Sequence, residues 1–192
     1  MSNTMQNICF LDSFKADTSI VPEIIDRIIK DLNKIGYPQE EIDEIILSMD
    51  EAITNAVQET VSTLQKEYMY SFQNREITVR YSISFHEFDA TIIDHGKGLD
   101  IKKMLTTIPD ASSDAYHDQI FDYVKNAELK KLKVRLNGTE IFLNGIGAGL
   151  KIMLSFMDAV TIDLIDKKSV VSDLVSEFTD GTILNMKRTR RY

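Results

Sequence analysis

The chain has 192 residues, and its 43% hydrophobic and 27% charged residues are typical of a globular protein. A formal net charge of −8 argues against a general nucleic-acid binder and against a protein of anionic membrane surfaces. A single cysteine, Cys9, excludes an internal disulfide framework and a thiolate metal cluster, and the three histidines show no metal-ligand spacing.

The ends of the chain carry no targeting signal in this interpretation. The N-terminus lacks the charged and then apolar layout of a signal peptide, and no apolar run approaches membrane-spanning length. We therefore expect one domain, 1–192, in a reducing compartment, most simply the cytoplasm. The basic run KRTRRY at the C-terminus is interpreted as a solvated tail.

The first third of the chain predicts one strand followed by two helices. Residues 7–14 predict a short strand, and apolar residues recur at helical spacing through 19–36, which Gly36 closes. After Pro38 a longer helix is predicted from about Glu40 to Tyr68. Its apolar stripe consists of Ile42, Ile45, Ile46, Met49, Ile53, Ala56, Val57 and Leu64.

The next segment predicts a β-hairpin. EITVRYSISF, 76–85, alternates strictly, with an apolar side that includes Tyr81 and Phe85. FDATIID, 88–94, follows after a tight connection, so the two segments are expected to pair as neighbouring strands.

The remaining elements lie on both sides of an irregular segment. Residues 98–145 contain the charged helical stretch HDQIFDYVKNAELKKLKV and predict a flap between two glycine motifs. A helix at about 148–157, a strand at 159–166 and a last strand after Gly181 follow.

The order of these elements, β-α-α-β-β-α-β-β, is not the regular alternation of a doubly wound fold. It predicts an α/β (α+β) two-layer sandwich, in which a mixed sheet of about five strands is covered on one face by helices.

The long helix carries an acid and an amide on its polar side. Glu51 lies nearly opposite the centre of the apolar stripe, and Asn55 follows one turn later on the same side. Two interpretations remain open from this helix alone: a solvated helix face, or a face that looks into a binding site.

The stretch IIDHGKGLD offers a first element that could supply a ligand to this face. Asp94 ends an apolar strand and is followed by Gly96 and Gly98, which let the backbone come close to a planar ligand. A carboxylate there can accept a hydrogen bond from an amino group such as that of adenine. An ordinary strand-to-turn junction has the same pattern.

The stretch NGIGAGLKIMLSFMD is a second glycine motif. Gly145, Gly147 and Gly149 immediately precede an apolar-periodic helix, whose free N–H groups and dipole suit phosphate. A flexible loop leading into a helix is the alternative. A Walker A loop is excluded because GxxxxGK[ST] is absent, and a dinucleotide fingerprint fails because its third glycine position is Leu150.

Together the three segments resemble the GHKL superfamily of ATPases. Glu51–Asn55 matches the N box, Asp94–Gly98 the first glycine box and Gly145–Leu150 the second. Within that superfamily, the motifs resemble more closely those of small bacterial anti-sigma factors that are also serine kinases. Those proteins share EAxTNA, here EAITNA, a helix ending in MD after the second glycine box, and a final strand that begins with Gly-Thr.

The resemblance implies a Bergerat-type ATP-binding fold with ATP and Mg²⁺ as cofactors. Glu51 would be the general base that orients or deprotonates the attacking hydroxyl, and Asn55 would hold the Mg²⁺ that bridges the phosphates. Asp94 would accept from the adenine amino group. The other nucleotide-binding positions would be Gly96 and Gly98 beside the base, Gly145, Gly147, Gly149 and Leu150 of the phosphate loop, and Thr182, which helps to close the adenine pocket.

The resemblance also implies protein partners: a sigma factor, and a STAS-type anti-anti-sigma protein that is phosphorylated on serine or threonine. It leaves room for a homodimer and implies no contact with nucleic acid or membrane. Two rival functions remain, a nucleotide-dependent binding module without chemistry and a stand-alone catalytic domain like that of histidine kinases.

Two positions depart from the family pattern. Glu59 stands where the family usually has histidine, and no role follows for it from the sequence. The extended ATP-lid region, about 99–144, is longer than in the compact anti-sigma factors, which bears on lid closure and on partner identity.

Overall fold

The structure of the protein is a computed structural model that describes residues 7–66, 76–96, 134–136, 139–141, 148–166, 171–172 and 179–191. Across these ranges, every helix is too short or too polar to cross a membrane.

The described residues form three helices and eight strands. The helices are α1 (Ile20–Ile35), α2 (Gln39–Lys66) and α3 (Ala148–Phe156). The strands are β1 (Ile8–Lys15), β2 (Glu76–Ile83), β3 (Glu87–Asp94), β4 (Val134–Leu136), β5 (Thr139–Ile141), β6 (Ala159–Asp166), β7 (Val171–Ser172) and β8 (Thr179–Thr189). Every element predicted on these residues is present within a few positions of its expected bounds.

The main sheet has the strand order β1-β2-β3-β8-β6-β7, and each neighbouring pair of these described strands is antiparallel. The two-layer sandwich is confirmed, whereas the mixed sheet is wrong. Two helices rather than one lie between β1 and β2 in the chain. The second helix reverses the chain direction once more, so β2 runs antiparallel to β1. β3 and β6 do run parallel, but β8 lies between them and pairs with both.

The helices cover one face of this sheet. Along β2 the buried side chains alternate with more exposed ones, and α1 and α2 lie against the buried side. The shared core contains Ile28, Leu32, Ile45, Met49, Ile53, Ile77, Val79, Phe88 and Ile162. Phe85 was predicted to continue the buried side, but β2 ends at Ile83 and the Phe85 side chain is 43% exposed.

The helix boundaries follow their sequence signals. Gly36 adopts φ 81° and donates its N–H to the carbonyls of Leu32 and Asn33, which ends α1. The α2 stripe is buried as predicted, with Ile46 half-buried. The predicted end of α2 at Tyr68 and the side chain of Leu64 lie outside the described residues.

The basic C-terminal run is not the solvated tail that was expected. The Arg188 side chain is fully buried and donates to the Phe156 carbonyl and the Glu44 carboxylate, and its Nε lies 3.9 Å from an oxygen of Glu41. Because β8 is a central strand, its end lies beneath α2 and α3 rather than at the edge of the molecule.

The region of the predicted lid, 99–144, is described only at β4 and β5. These two short strands pair antiparallel, with Val134 opposite Ile141, and were not predicted. The charged helix expected in this region, residues 117–134, otherwise lies outside the described residues.

Candidate functional site

The polar face of α2 carries three polar side chains in one row. Glu51, Asn55 and Glu59 follow one another at four-residue spacing, so they lie on the same side of the helix over about 12 Å. Glu51 is half-buried, whereas Asn55 and Glu59 are exposed. Two other parts of the chain pack against this row, one at each end.

The first turn of α3 packs against the Glu51 end of the row. A side chain at Gly149 would overlap the Glu51 carboxylate, and its Cβ would lie 3.1 Å from the Asn55 amide nitrogen. The first N–H groups of a helix have no partner within the helix. The contact therefore brings the first N–H groups of a helix, an acid and a carboxamide together.

The end of β3 supplies a buried carboxylate. Asp94 is 8% exposed, pairs with Thr182 of β8, and accepts a 2.8 Å hydrogen bond from the Gly96 N–H through Oδ1. Burial raises the pKa of Asp94 to about 6, although hydrogen bonds from Gly96 and Thr182 act in the opposite direction. The negative charge of Glu59 raises that pKa further.

The turn after Asp94 lies directly on α2, at the Glu59 end of the row. A Cβ at Gly96 would lie 2.7 Å from the Glu59 Cβ, closer than two non-bonded carbons normally approach, so any other residue at this position would push the turn away from α2. The His95 N–H donates to the Thr60 hydroxyl over 3.3 Å, and Thr60 is fully buried.

A second glycine, Gly181, packs against the backbone of Asp94 from β8. A Cβ at Gly181 would overlap the Asp94 carbonyl oxygen, and Thr182 follows directly as the residue opposite Asp94. β8 and α2 therefore fix the end of β3 from two sides. The Asp94 carboxylate is an acceptor held in place by close backbone packing.

The structure brings the described site predictions to one side of α2. Glu51, Asn55 and Gly149 meet at one end of the row. Asp94, Gly96 and Thr182 meet at the other end. Leu150 is half-buried and packs against the hydrophobic core, and Gly98, Gly145 and Gly147 lie outside the described residues.

Three contributing residues were not assigned to the site from the sequence. Glu59 lies one turn beyond Asn55, so the four-residue spacing was a usable signal for it, whereas Thr60, the next residue, is buried and had no such signal. Gly181 had a signal in the Gly-Thr pair that opens the last strand, but its contact with Asp94 depends on strand pairing that no local pattern shows.

The described part of the chain contains no group of three or more His, Cys, Asp and Glu side chains that could hold a metal ion. A cation held by Asn55 could complete its coordination with oxygen atoms of a bound molecule and of water. Mg²⁺ binds in this way, because it usually keeps several waters and takes few protein ligands.

Comparisons with known proteins show the fold. No protein-family model and no curated protein sequence matches the chain. A chain in the crystal structure of the SiaB–SiaC complex from Pseudomonas aeruginosa is similar in structure, with a TM-score of 0.51 and 12% sequence identity. The similarity covers 95% of this chain and 88% of that chain, so the two share one overall architecture.

Proposed function

We propose that the protein is an ATP- and Mg²⁺-dependent serine/threonine-protein kinase that also acts as an anti-sigma factor. Its substrate is a STAS-type anti-anti-sigma protein. The observation that carries this proposal is the position of Asp94 and Gly149 at the two ends of one face of α2. The resemblance of the three motifs to the anti-sigma kinases supplies the substrate class.

The two ends of the row suit the two ends of a nucleotide. A buried, fixed carboxylate is an acceptor for the amino group of adenine, and Thr182 and Gly96 lie beside it. At the other end, the absence of a side chain at Gly149 lets the Glu51 carboxylate and the Asn55 amide lie against the first turn of α3, and such a turn suits phosphate. The residues present therefore fit ATP.

The chemistry requires little more than positioning and neutralisation of charge. ATP supplies the phosphoryl group, and Asn55 would hold the accompanying Mg²⁺ through its amide oxygen. Glu51 would accept the proton of the serine or threonine hydroxyl, because it lies one helical turn from Asn55 on the same face.

A protein partner is supported independently of the motifs. The similar solved structure is that of a complex of two proteins, SiaB and SiaC. An architecture shared with a chain of that complex is compatible with a chain that acts on, or is held by, another protein.

The first prediction concerns Glu51. In the variant Glu51→Gln we expect the rate of phosphotransfer to fall by about 10²–10⁴-fold, because the amide cannot accept the proton. The dissociation constant for ATP should change by less than about threefold, since Gln keeps the shape of Glu. Transfer of radiolabel from ATP to the purified STAS protein of the same cell measures the rate.

Asp50→Asn, which removes an exposed charge from the neighbouring position, is the matched control and should label normally. Normal labelling by Glu51→Gln would remove the general base from the proposal. ATP binding by the wild type without labelling of any partner would favour the non-catalytic binding module, and an acid-labile phosphohistidine would favour the histidine-kinase-like domain.

The second prediction uses two glycines that differ in their surroundings. Gly149→Ala should weaken ATP binding at least about tenfold, because the methyl group displaces the Glu51 and Asn55 side chains by more than a charged hydrogen bond tolerates. The close contact of the added methyl group lowers the free energy of unfolding. The higher helix propensity of alanine, about 1 kcal/mol over glycine, offsets part of this loss.

Gly36→Ala should have a different effect, lower stability with unchanged ATP binding. Gly36 has φ 81° and no atom within 4 Å of the added methyl group, so the free energy of unfolding should fall by about 1 kcal/mol while ATP binding stays unchanged. Calorimetric titration and urea unfolding of both variants measure these quantities. Equal ATP affinity in Gly149→Ala and Gly36→Ala would contradict the phosphate end of the site.

A further inference from the structure

Glu59 places a second carboxylate at the buried end of the site. Its Cβ lies in the space beside Gly96, and its charge acts on Asp94 from the adjacent face of α2. The Glu59 side chain is exposed rather than buried in the core, so its carboxylate is free to turn towards a bound molecule. Two acceptors, one fixed and one adjustable, therefore border the same space.

From this geometry we propose that Glu59 is a specificity-determining residue that makes the site take 6-amino purines and reject 6-oxo purines. This inference rests on the proposed nucleotide function. It assigns to Glu59 the role of a second hydrogen-bond acceptor for the exocyclic group of the base, next to Asp94.

The two kinds of base differ in the hydrogen bonds they need. The amino group of adenine offers N–H donors, whereas the 6-oxo group of hypoxanthine or guanine offers only lone pairs. Two ionised carboxylates are acceptors without a donor, so a 6-oxo group would face them unpaired. A site that is built to pair with N–H rejects an analogue without that donor by a large factor.

The protonation state of Asp94 decides how strict this selection is. Because the pKa of Asp94 is raised to about 6, its carboxyl is mostly ionised at pH 7.5 and mostly protonated at pH 5. A protonated Asp94 can donate to a 6-oxo group, so discrimination should narrow as the pH falls through 6. Glu59 contributes to this pKa through its like charge, and its loss should move the transition to lower pH.

Among the residues that the structure describes, Glu59 supplies the like charge that acts on Asp94. Gly96 and Thr182 contribute hydrogen bonds to Asp94 from the turn and from β8. The neighbouring titratable groups are His95 and Asp180, and the His95 Nδ1 lies 4.0 Å from an Asp180 carboxylate oxygen.

The test compares ATP with ITP, the 6-oxo analogue, in the presence of Mg²⁺. Dissociation constants are measured by calorimetric titration at pH 5.0, 6.0 and 7.5 for the wild type, Glu59→Gln and Glu40→Gln. Glu40→Gln makes the same chemical change at an exposed position near the start of α2 and is the control.

For the wild type at pH 7.5 we expect the dissociation constant of ITP to be at least about 100 times that of ATP. This ITP-to-ATP ratio should be smaller at pH 5.0. Glu59→Gln should lower the ratio at pH 7.5 by about tenfold, because its amide N–H can donate to the 6-oxo group. Glu40→Gln should match the wild type.

An unchanged ITP-to-ATP ratio in Glu59→Gln would overturn the inference while leaving the proposed function intact. A purely structural role for Glu59 would produce that outcome, with both nucleotides weakened equally. If the wild type binds neither nucleotide at any pH, the proposed function itself fails.

Discussion

Asp94→Asn is expected to stabilise the free protein at pH 7.5 and, in the same variant, to abolish its response to ATP. Burial raises the pKa of Asp94 to about 6 from an ordinary value of 3.8, so holding the ionised carboxylate costs the folded state up to about 3 kcal/mol above pH 6. The isosteric amide removes this cost and still accepts from the Gly96 N–H. In the complex with ATP, the amide would face the adenine amino group with its own N–H, which is also a donor, or with its neutral oxygen, which is a weaker acceptor than a carboxylate.

The sign of the pH dependence follows from the raised pKa. Between about pH 4 and pH 6 the folded wild type binds more protons at Asp94 than the unfolded chain does, so the free energy of unfolding falls as the pH rises through this window. Above pH 6 the difference in the free energy of unfolding between the wild type and Asp94→Asn should be constant. Below pH 4 this difference should vanish.

Urea unfolding between pH 4 and pH 8 measures this difference, and a thermal shift with ATP and Mg²⁺ measures the lost response. At a hundredfold excess of ATP over its dissociation constant the wild type should gain about 2.7 kcal/mol, and Asp94→Asn should gain little. Asp43→Asn, on an exposed part of α2, is the control and should leave both quantities near their wild-type values. A destabilised Asp94→Asn that still responds to ATP would contradict the account of Asp94.

Arg188→Ala is expected to destabilise the protein by about 3–5 kcal/mol, because it removes the buried cation that faces Glu41 and Glu44. Arg188 is fully buried and joins β8 to α2 and to the end of α3. Two carboxylates would remain near the interior, and Arg191 is the basic residue beside them in the described part of the chain. Guanidinium unfolding followed by circular dichroism measures the loss.

Arg190→Ala is the matched control two residues later. Its guanidinium lies over the rings of Tyr37 and Phe85 at 4.9 Å and 4.5 Å and donates to the carbonyls of Gly36 and Phe85, exposed contacts that together contribute about 1–2 kcal/mol. Should Arg188→Ala fail to fold, the triple variant Arg188→Met, Glu41→Gln, Glu44→Gln should recover a folded protein, since no buried charge is left unpaired. Equal stability of Arg188→Ala and Arg190→Ala would contradict the role of the buried cluster.

The local elements were predictable because hydrophobic periodicity and helix-ending residues determine them. The buried stripe of α2 and the capping role of Gly36 could be identified from the sequence alone. The same is true of Glu51 and Asn55 as neighbours on a polar face, and of Asp94 as the end of a strand. These features depend on residues within a few turns of one another.

The remaining features depend on partners far away in the chain. The position of β8 between β3 and β6 decides that the sheet is antiparallel and that Arg188 is buried, yet a basic run at a C-terminus looks the same when it is solvated. The contact between Glu59 and Gly96 likewise joins residues of two elements, so the side chain remained unassigned until its neighbour was known.

The most direct test of the nucleotide site is a crystal structure of the protein with Mg²⁺ and a non-hydrolysable ATP analogue. The account predicts that the adenine amino group contacts Asp94, that the phosphates lie at Gly149 and the first turn of α3, and that the metal contacts Asn55. A different location would contradict it, for example the groove of about 430 Å³ that Phe10, Arg27 and Lys30 line between β1 and α1.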